Sequence, residues 1–160
     1  MIITRIKKED VDLIVYDFDG VMTDNRAFVF QDGTEAVMVS RADGLGVNRI
    51  RSAEIPQLIL STETNPVVRA RAAKLRLEVI SSCKNKRETL IEYCRENCYS
   101  LERTVFIGND LNDLPVMGAV GYPISPADGH PDVLAIAKAV TSVKGGDGVI
   151  KEFSEKIMIY

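Results

Sequence analysis

Short β-prone apolar runs alternate with helix-spaced stretches from one end of the chain to the other. The first run, Leu13-Ile14-Val15-Tyr16, is apolar without a break and stops at Asp17, so a buried strand is expected over Ile14 to Asp17. Five more strands are expected at Gln57 to Ser61, Leu77 to Ser81, Thr104 to Gly108, Val120 to Ile124 and Ala139 to Ser142. Helix starts are marked between them. Asn65-Pro66 reads as an N-cap followed by proline in the first helical position, and His130-Pro131 repeats the signal. Asp147 is placed to cap a last helix running to Ile157.

This alternation predicts an α/β fold, a parallel sheet covered by helices on both faces. One segment breaks the rhythm. Phe28-Val29-Phe30 and Ala36-Val37-Met38-Val39 flank Asp32-Gly33, a strong turn pair, so a β-hairpin is expected directly after the first strand. No repeat and no Pro/Gly/Ser linker interrupts the pattern, and residues 1–160 are expected to form a single domain.

Composition narrows the function. Hydrophobic residues make up 46% and charged residues 27%, with 11 Gly and 6 Pro, which excludes disordered and collagenous chains. Twenty basic against 23 acidic residues leave a net charge of -3, so no broad basic field is available for nucleic acid. No run reaches the ~18 apolar residues of a membrane span, and no membrane partner is expected. Charged residues from Arg5 to Asp10 deny the first ten positions a signal-peptide core, so the expected location is cytoplasmic. Cys83, Cys94 and Cys98 lack paired metal spacing, and Cys94 and Cys98, four apart, are expected on a packed helix face.

The chemistry gathers where strands end. Asp17 and Asp19 follow the first strand at the edge where open parallel sheets build their ligand crevice. Ser61 ends the next strand with a hydroxyl able to donate to an anion. Lys86 stands at a helix start, where the helix dipole favours an acid, and so points to an anionic partner. Gly108-Asn109-Asp110-Leu111-Asn112-Asp113 adds a carboxylate loop after the strand that begins at Thr104. Oxygens from Asp17 and from the Asn109/Asp110 loop, with waters and a phosphate oxygen, suit Mg²⁺. With that cation, Lys86 and Ser61 would neutralise a phosphoryl group. Asp17 would attack in line, and Asp19 would protonate the leaving alkoxide and then deprotonate water.

These motifs, in this order, resemble the four motifs of the haloacid dehalogenase (HAD) superfamily of phosphatases. The Asp19-Gly20-Val21-x-Thr23-Asp24 start, the hairpin, Asp43-Gly44-Leu45-Gly46 and Lys144-Gly145-Gly146-Asp147-Gly148 resemble its small branch without a cap domain. That branch acts on eight- and nine-carbon ulosonic acid phosphates, and includes 3-deoxy-D-manno-octulosonate 8-phosphate phosphatases, sialic-type phosphatases and a module attached to some acylneuraminate cytidylyltransferases. The resemblance implies a Rossmann-like three-layer fold, Mg²⁺-dependent hydrolysis through an aspartyl-phosphate on Asp17, and Asp19 as acid/base and, through its carbonyl, a metal ligand. It also implies a homotetramer with hairpins at the interface, where a neighbouring subunit helps close each site.

Two departures matter. Octulosonate enzymes usually read Thr-Gly-Arg where this chain reads Ser61-Thr62-Glu63, which is closer to the sialic-type members and tilts the substrate toward a nine-carbon acid. Asn109 stands where many relatives carry Asp, so the third metal ligand is either Asp110 or Asn109. Thr62, Glu63, Arg71, Lys74, Asp43 and Gly44 complete the expected substrate contacts, with Arg71 and Lys74 on one helix face toward a substrate carboxylate. The competing readings are an eight-carbon substrate, a non-catalytic oligomerisation partner of a cytidylyltransferase, and a phospho-receiver domain.

Overall fold

A computed structural model describes residues 5–160. Residues 1–4 of the expected single domain lie outside the described residues. A six-stranded, all-parallel sheet is built from β2 (Leu13–Tyr16), β5 (Gln57–Leu60), β6 (Glu78–Ile80), β7 (Thr104–Ile107), β8 (Tyr122–Ser125) and β9 (Ala139–Val140). All six expected strands are present, with ends displaced by one or two residues. Their order, β6-β5-β2-β7-β8-β9, reverses direction between β2 and β7. In doubly wound sheets that reversal opens a crevice beyond the strand carboxyl ends.

Alternation within each strand feeds two cores. Ile14, Tyr16, Ile59, Val105 and Ile107 pack on one face with Val47 and Ile50 of α1 (Ala42–Ser52), Val68 and Ala72 of α2 (Val67–Leu75), and α6 (Val149–Glu152). Leu13, Val15, Leu58, Leu60 and Phe106 pack on the other with Leu90 and Cys94 of α3 (Lys86–Glu96), α4 (Leu114–Met117) and α5 (Pro131–Ile136). Two buried faces account for the unbroken apolar runs. A small parallel pair, β1 (Ile6–Lys7) and β10 (Met158–Ile159), ties the two ends of the described chain together.

The hairpin lies where expected but starts earlier: β3 (Thr23–Val29) pairs antiparallel with β4 (Glu35–Val39), around Asp32-Gly33. Phe28, Val29, Phe30 and Met38 are exposed on it.

Three local expectations need correction. Asn65 does accept a hydrogen bond from Val67 N at 3.0 Å, but Pro66 itself takes the capping position and α2 begins at Val67. Asp147 does not cap the last helix; Gly148, at φ +94°, precedes it, and Asp43 reaches across from α1 to accept from Ile150 N at 2.9 Å. That helix is also short, giving way after Glu152 to a π-helical turn at Phe153–Ile157. Cys94 is buried on α3, but α3 ends at Glu96, so Cys98 falls beyond it, exposed at φ +60°. His130 caps α5 as expected, its Nδ1 accepting from Asp132 N at 3.2 Å. Among the described residues no helix is long and apolar enough to cross a membrane.

Candidate active site

Three strand ends meet at the reversal point. Tyr16 ends β2 and delivers Asp17, Leu60 ends β5 and delivers Ser61, and Ile107 ends β7 and delivers Gly108 and Asn109. They surround a polar cavity of about 110 Å³ bordered by Asp17, Asp19, Ser61, Thr62, Asn109 and Asp110, with Asn25 and Asn112 completing it. That is the space of a few water molecules, enough for a phosphoryl group and not for a whole sugar acid.

Phe18, fully buried, anchors the strand-end turn, and its carbonyl accepts from Met22 N and Thr23 N at 2.9 and 3.2 Å. The turn leaves Asp17 and Asp19, one pleat apart, on the cavity side. Gly20, at φ +82°, follows because a side chain there would meet the Asn109 amide at 2.0 Å. Thr23, buried, donates to Asp19 Oδ1 at 3.4 Å and accepts from Gly20 N at 3.2 Å, so it orients the second carboxylate.

Lys86 lies behind Asp17. Its Nζ donates to Asp17 Oδ1 at 2.6 Å and to Asp113 Oδ1 at 2.7 Å, with all three side chains buried. Burial works to lower the lysine pKa, but the two carboxylates overcome it and hold the ammonium charged. Burial, and next the charge of Asp113, push the Asp17 carboxyl up against the pull of Lys86. Asp19 is also raised, by burial and then by Glu63, which favours a carboxyl able to carry a proton.

Asp113, the last residue of the Gly108–Asp113 motif, has a role that the motif alone does not reveal. Its Oδ2 accepts from Asn109 N at 2.9 Å while its Oδ1 takes Lys86, so it locks the loop to the lysine. Gly108 permits that approach, since a Cβ there would lie 2.8 Å from the carboxyl carbon. Asn25, left-handed at φ +63°, and Asn112 also border the cavity, though the sequence motifs assign neither a role.

The oxygens fit a small hard cation. With its amide nitrogen turned inward, Asn109 donates to Asp19 O at 2.9 Å and to Asp17 Oδ2 at 3.2 Å. The amide thus occupies the position between the two oxygens a cation would share, and turning it over offers a third. Asp110 uses its carboxylate differently, accepting from Leu111 N at 2.7 Å to cap the next turn. No three His, Cys, Asp or Glu side chains converge among the described residues, so a cation here would keep several waters, as Mg²⁺ does.

Ser61 is buried, and its Oγ accepts from Glu63 N at 3.1 Å, leaving the hydroxyl proton free for an anion. Glu63 folds back to accept from Thr64 N and Asn65 N at 2.7 and 2.8 Å.

Five expected substrate contacts do not border this cavity: Glu63, folded back on its own turn, stands beside it, and four lie farther off. Asp43 is buried beneath α6. Gly44, Arg71 and Lys74 line a separate basic cavity of about 700 Å³ with Arg41, Arg51 and Arg76. Arg71 Nη2 there donates to Ser40 O at 2.8 Å. The i,i+3 spacing put Arg71 and Lys74 on one face, but α2 turns that face toward α1 rather than toward Asp17.

The family model for haloacid dehalogenase-like hydrolases matches residues 48–153, more than half of the chain, and takes in Ser61, Lys86 and Asn109. The chain belongs to the haloacid dehalogenase-like hydrolases. The 3-deoxy-D-manno-octulosonate 8-phosphate phosphatase of Haemophilus influenzae is 30% identical over 153 residues, 95% of this chain and 85% of that protein. A solved structure from Streptomyces avermitilis, assigned only to HAD family hydrolases, is 44% identical with a TM-score of 0.93, covering 97% of this chain and 89% of that one. The octulosonate phosphatase of Moraxella catarrhalis, solved with magnesium, phosphate and KDO, is 26% identical with a TM-score of 0.89, covering 94% and 87%. Membership and these relatives meet the expectation of a HAD-type phosphatase, a phosphoric monoester hydrolase.

Proposed function

We propose that this family member is a Mg²⁺-dependent phosphomonoesterase for a sugar acid phosphate, working through an aspartyl-phosphate on Asp17. One observation carries the reading: Asp17 is held by Lys86, itself held by Asp113, at the bottom of a cavity with room for little more than a phosphoryl group.

Asp17 Oδ2, Asp19 O and Asn109 would hold Mg²⁺, with Asp110 as a cap rather than a ligand. Bound there, the cation supplies positive charge to the phosphoryl oxygens. Lys86 and the Ser61 hydroxyl neutralise the same group from the protein side, while Lys86 fixes the attacking carboxylate. Asp17 bonds to phosphorus as Asp19 gives its proton to the leaving alkoxide; Asp19, now ionised, takes a proton from the water that releases phosphate.

The sugar acid extends past Thr62 and Glu63. Glu63 favours a nine-carbon, sialic-type 9-phosphate, because a carboxylate accepts from hydroxyl or amine groups where Arg would pair with an acid. A second reading, the eight-carbon octulosonate 8-phosphate, is favoured by the relatives in Haemophilus and Moraxella. Arg71 and Lys74, which do not border the catalytic cavity of their own protomer, would serve the substrate carboxylate in a neighbouring protomer of a homotetramer joined through the apolar hairpins.

The test is phosphate release from a panel of phosphate esters, with and without Mg²⁺, by wild type and Asp17→Ala. Metal-dependent turnover confined to sugar acid phosphates and absent in Asp17→Ala is expected. Turnover of none of them would favour the non-catalytic partner of a cytidylyltransferase.

A further inference from the structure

The oxygens assigned to Mg²⁺ are backed by two backbone segments, and one loop outside the cavity holds both. Gly20 lies between the Asn109 amide and Gly145: a Cβ on Gly145 would fall 2.1 Å from Gly20 O. Gly146, at φ +80°, donates to Val21 O at 3.0 Å, and a Cβ there would fall 2.6 Å from Asp24 N. The two glycines therefore pack against the Gly20–Val21 peptide, one peptide beyond the Asp19 carbonyl that faces Asn109.

That pair of glycines is itself pinned. Asp128 Oδ1 accepts from Gly145 N at 2.9 Å, and its neighbour Ala127 N donates to Val143 O at 3.0 Å. From the same loop, 126–130, His130 N donates to Asn109 O at 2.8 Å. Behind it, the Glu152 carboxylate accepts from Ser142 N and Oγ and from Val143 N. One short loop thus fixes Asn109 on one side of Gly20 and Gly145 on the other.

Resting on the Mg²⁺ reading above, we propose that Asp128 is a positioning residue for the cation site. It touches neither substrate nor metal; through Gly145 it holds the Gly20–Val21 peptide, and through Gly20 the preceding Asp19 carbonyl, in place beside Asn109. The role has physical consequence because Mg²⁺ demands near-octahedral oxygens at about 2.0–2.1 Å, so a loosened carbonyl costs affinity. Asp128 is exposed, so its removal lets water satisfy Gly145 N while the core stays packed.

The experiment is calorimetric titration of Mg²⁺ into substrate-free wild type, Asp128→Ala, Asp128→Asn and Gly145→Ala, with melting temperatures alongside. Loss of one hydrogen bond predicts Mg²⁺ binding about threefold to tenfold weaker in Asp128→Ala, with the melting temperature nearly unchanged. Asp128→Asn keeps an acceptor oxygen and should bind like wild type; Gly145→Ala, which drives a methyl group toward Gly20 O, should bind more weakly than Asp128→Ala. In turnover, excess Mg²⁺ should restore kcat in Asp128→Ala without changing KM. Unchanged Mg²⁺ binding in Asp128→Ala or Gly145→Ala, beside a wild type that binds, would overturn the positioning role alone. A wild type that binds no Mg²⁺ would overturn the metal reading and this role with it.

Discussion

Nζ of Lys86 lies 2.6 Å from Oδ1 of Asp17, in a pair shielded from water on both sides. With Asp113 at 2.7 Å on the same nitrogen, one cation stands between two buried carboxylates. Lys86→Met would leave them facing each other, a loss of about 3–5 kcal/mol for breaking a buried pair. Urea unfolding should show that loss, and Asp113→Asn added to Lys86→Met should recover part of it by removing one charge. Turnover should stay abolished in both.

Asn109 and Asp110 separate by their hydrogen bonds, one turned to the Asp17 and Asp19 oxygens and the other to Leu111 N. Asp110→Ala should keep Mg²⁺ affinity and lose only a cap, about 1 kcal/mol of stability. Asn109→Ala should lose Mg²⁺ affinity, and Asn109→Asp, which adds a negative charge, should raise it. Titration of Mg²⁺ against each variant decides the ligand.

Acid stability gives a third prediction. Asp43 is buried with one oxygen on Ile150 N and the other without a partner among the described residues; burial pushes its carboxyl up to about 6. An unfolded aspartate titrates near about 3.9, so the folded state holds the proton more tightly. This contribution is present in full below pH ~4 and is lost as pH rises through 6, roughly 2–3 kcal/mol in all. Asp43→Asn keeps the acceptor and cannot titrate. Its unfolding free energy should therefore fall less than that of wild type between pH 4 and 7.

Sharing of sites between protomers is open to complementation. Asp17→Asn lacks the nucleophile and Arg71→Ala lacks the proposed carboxylate contact, so each alone should be poorly active. Co-refolded, they should regain activity at sites that combine an intact Asp17 with a neighbour's intact Arg71. No gain on mixing would place Arg71 outside the reaction.

Much of the framework was legible because it depends on local pattern. The run Leu13-Ile14-Val15-Tyr16 ended by Asp17 marks a buried strand feeding a crevice, and Asp32-Gly33 between apolar arms marks the hairpin. Asp113 was not legible as a partner of Lys86, because that contact joins residues 27 positions apart and depends on how α3 packs. Asp43 resembled a substrate contact because its role as a cap for α6 is made across 107 positions. Arg71 and Lys74 illustrate the same limit: spacing tells which side chains share a helix face, and only packing tells what that face meets.

The central claim is that Asp17 becomes phosphorylated. It is tested by acid-quenching the enzyme during Mg²⁺-supported turnover of a sugar acid phosphate and mapping phosphorylated peptides by mass spectrometry. The account predicts a phosphoryl group on Asp17 that is absent without Mg²⁺ and absent, with turnover, in Asp17→Asn. Full turnover by Asp17→Asn, or a phosphoryl group on another residue, would contradict it.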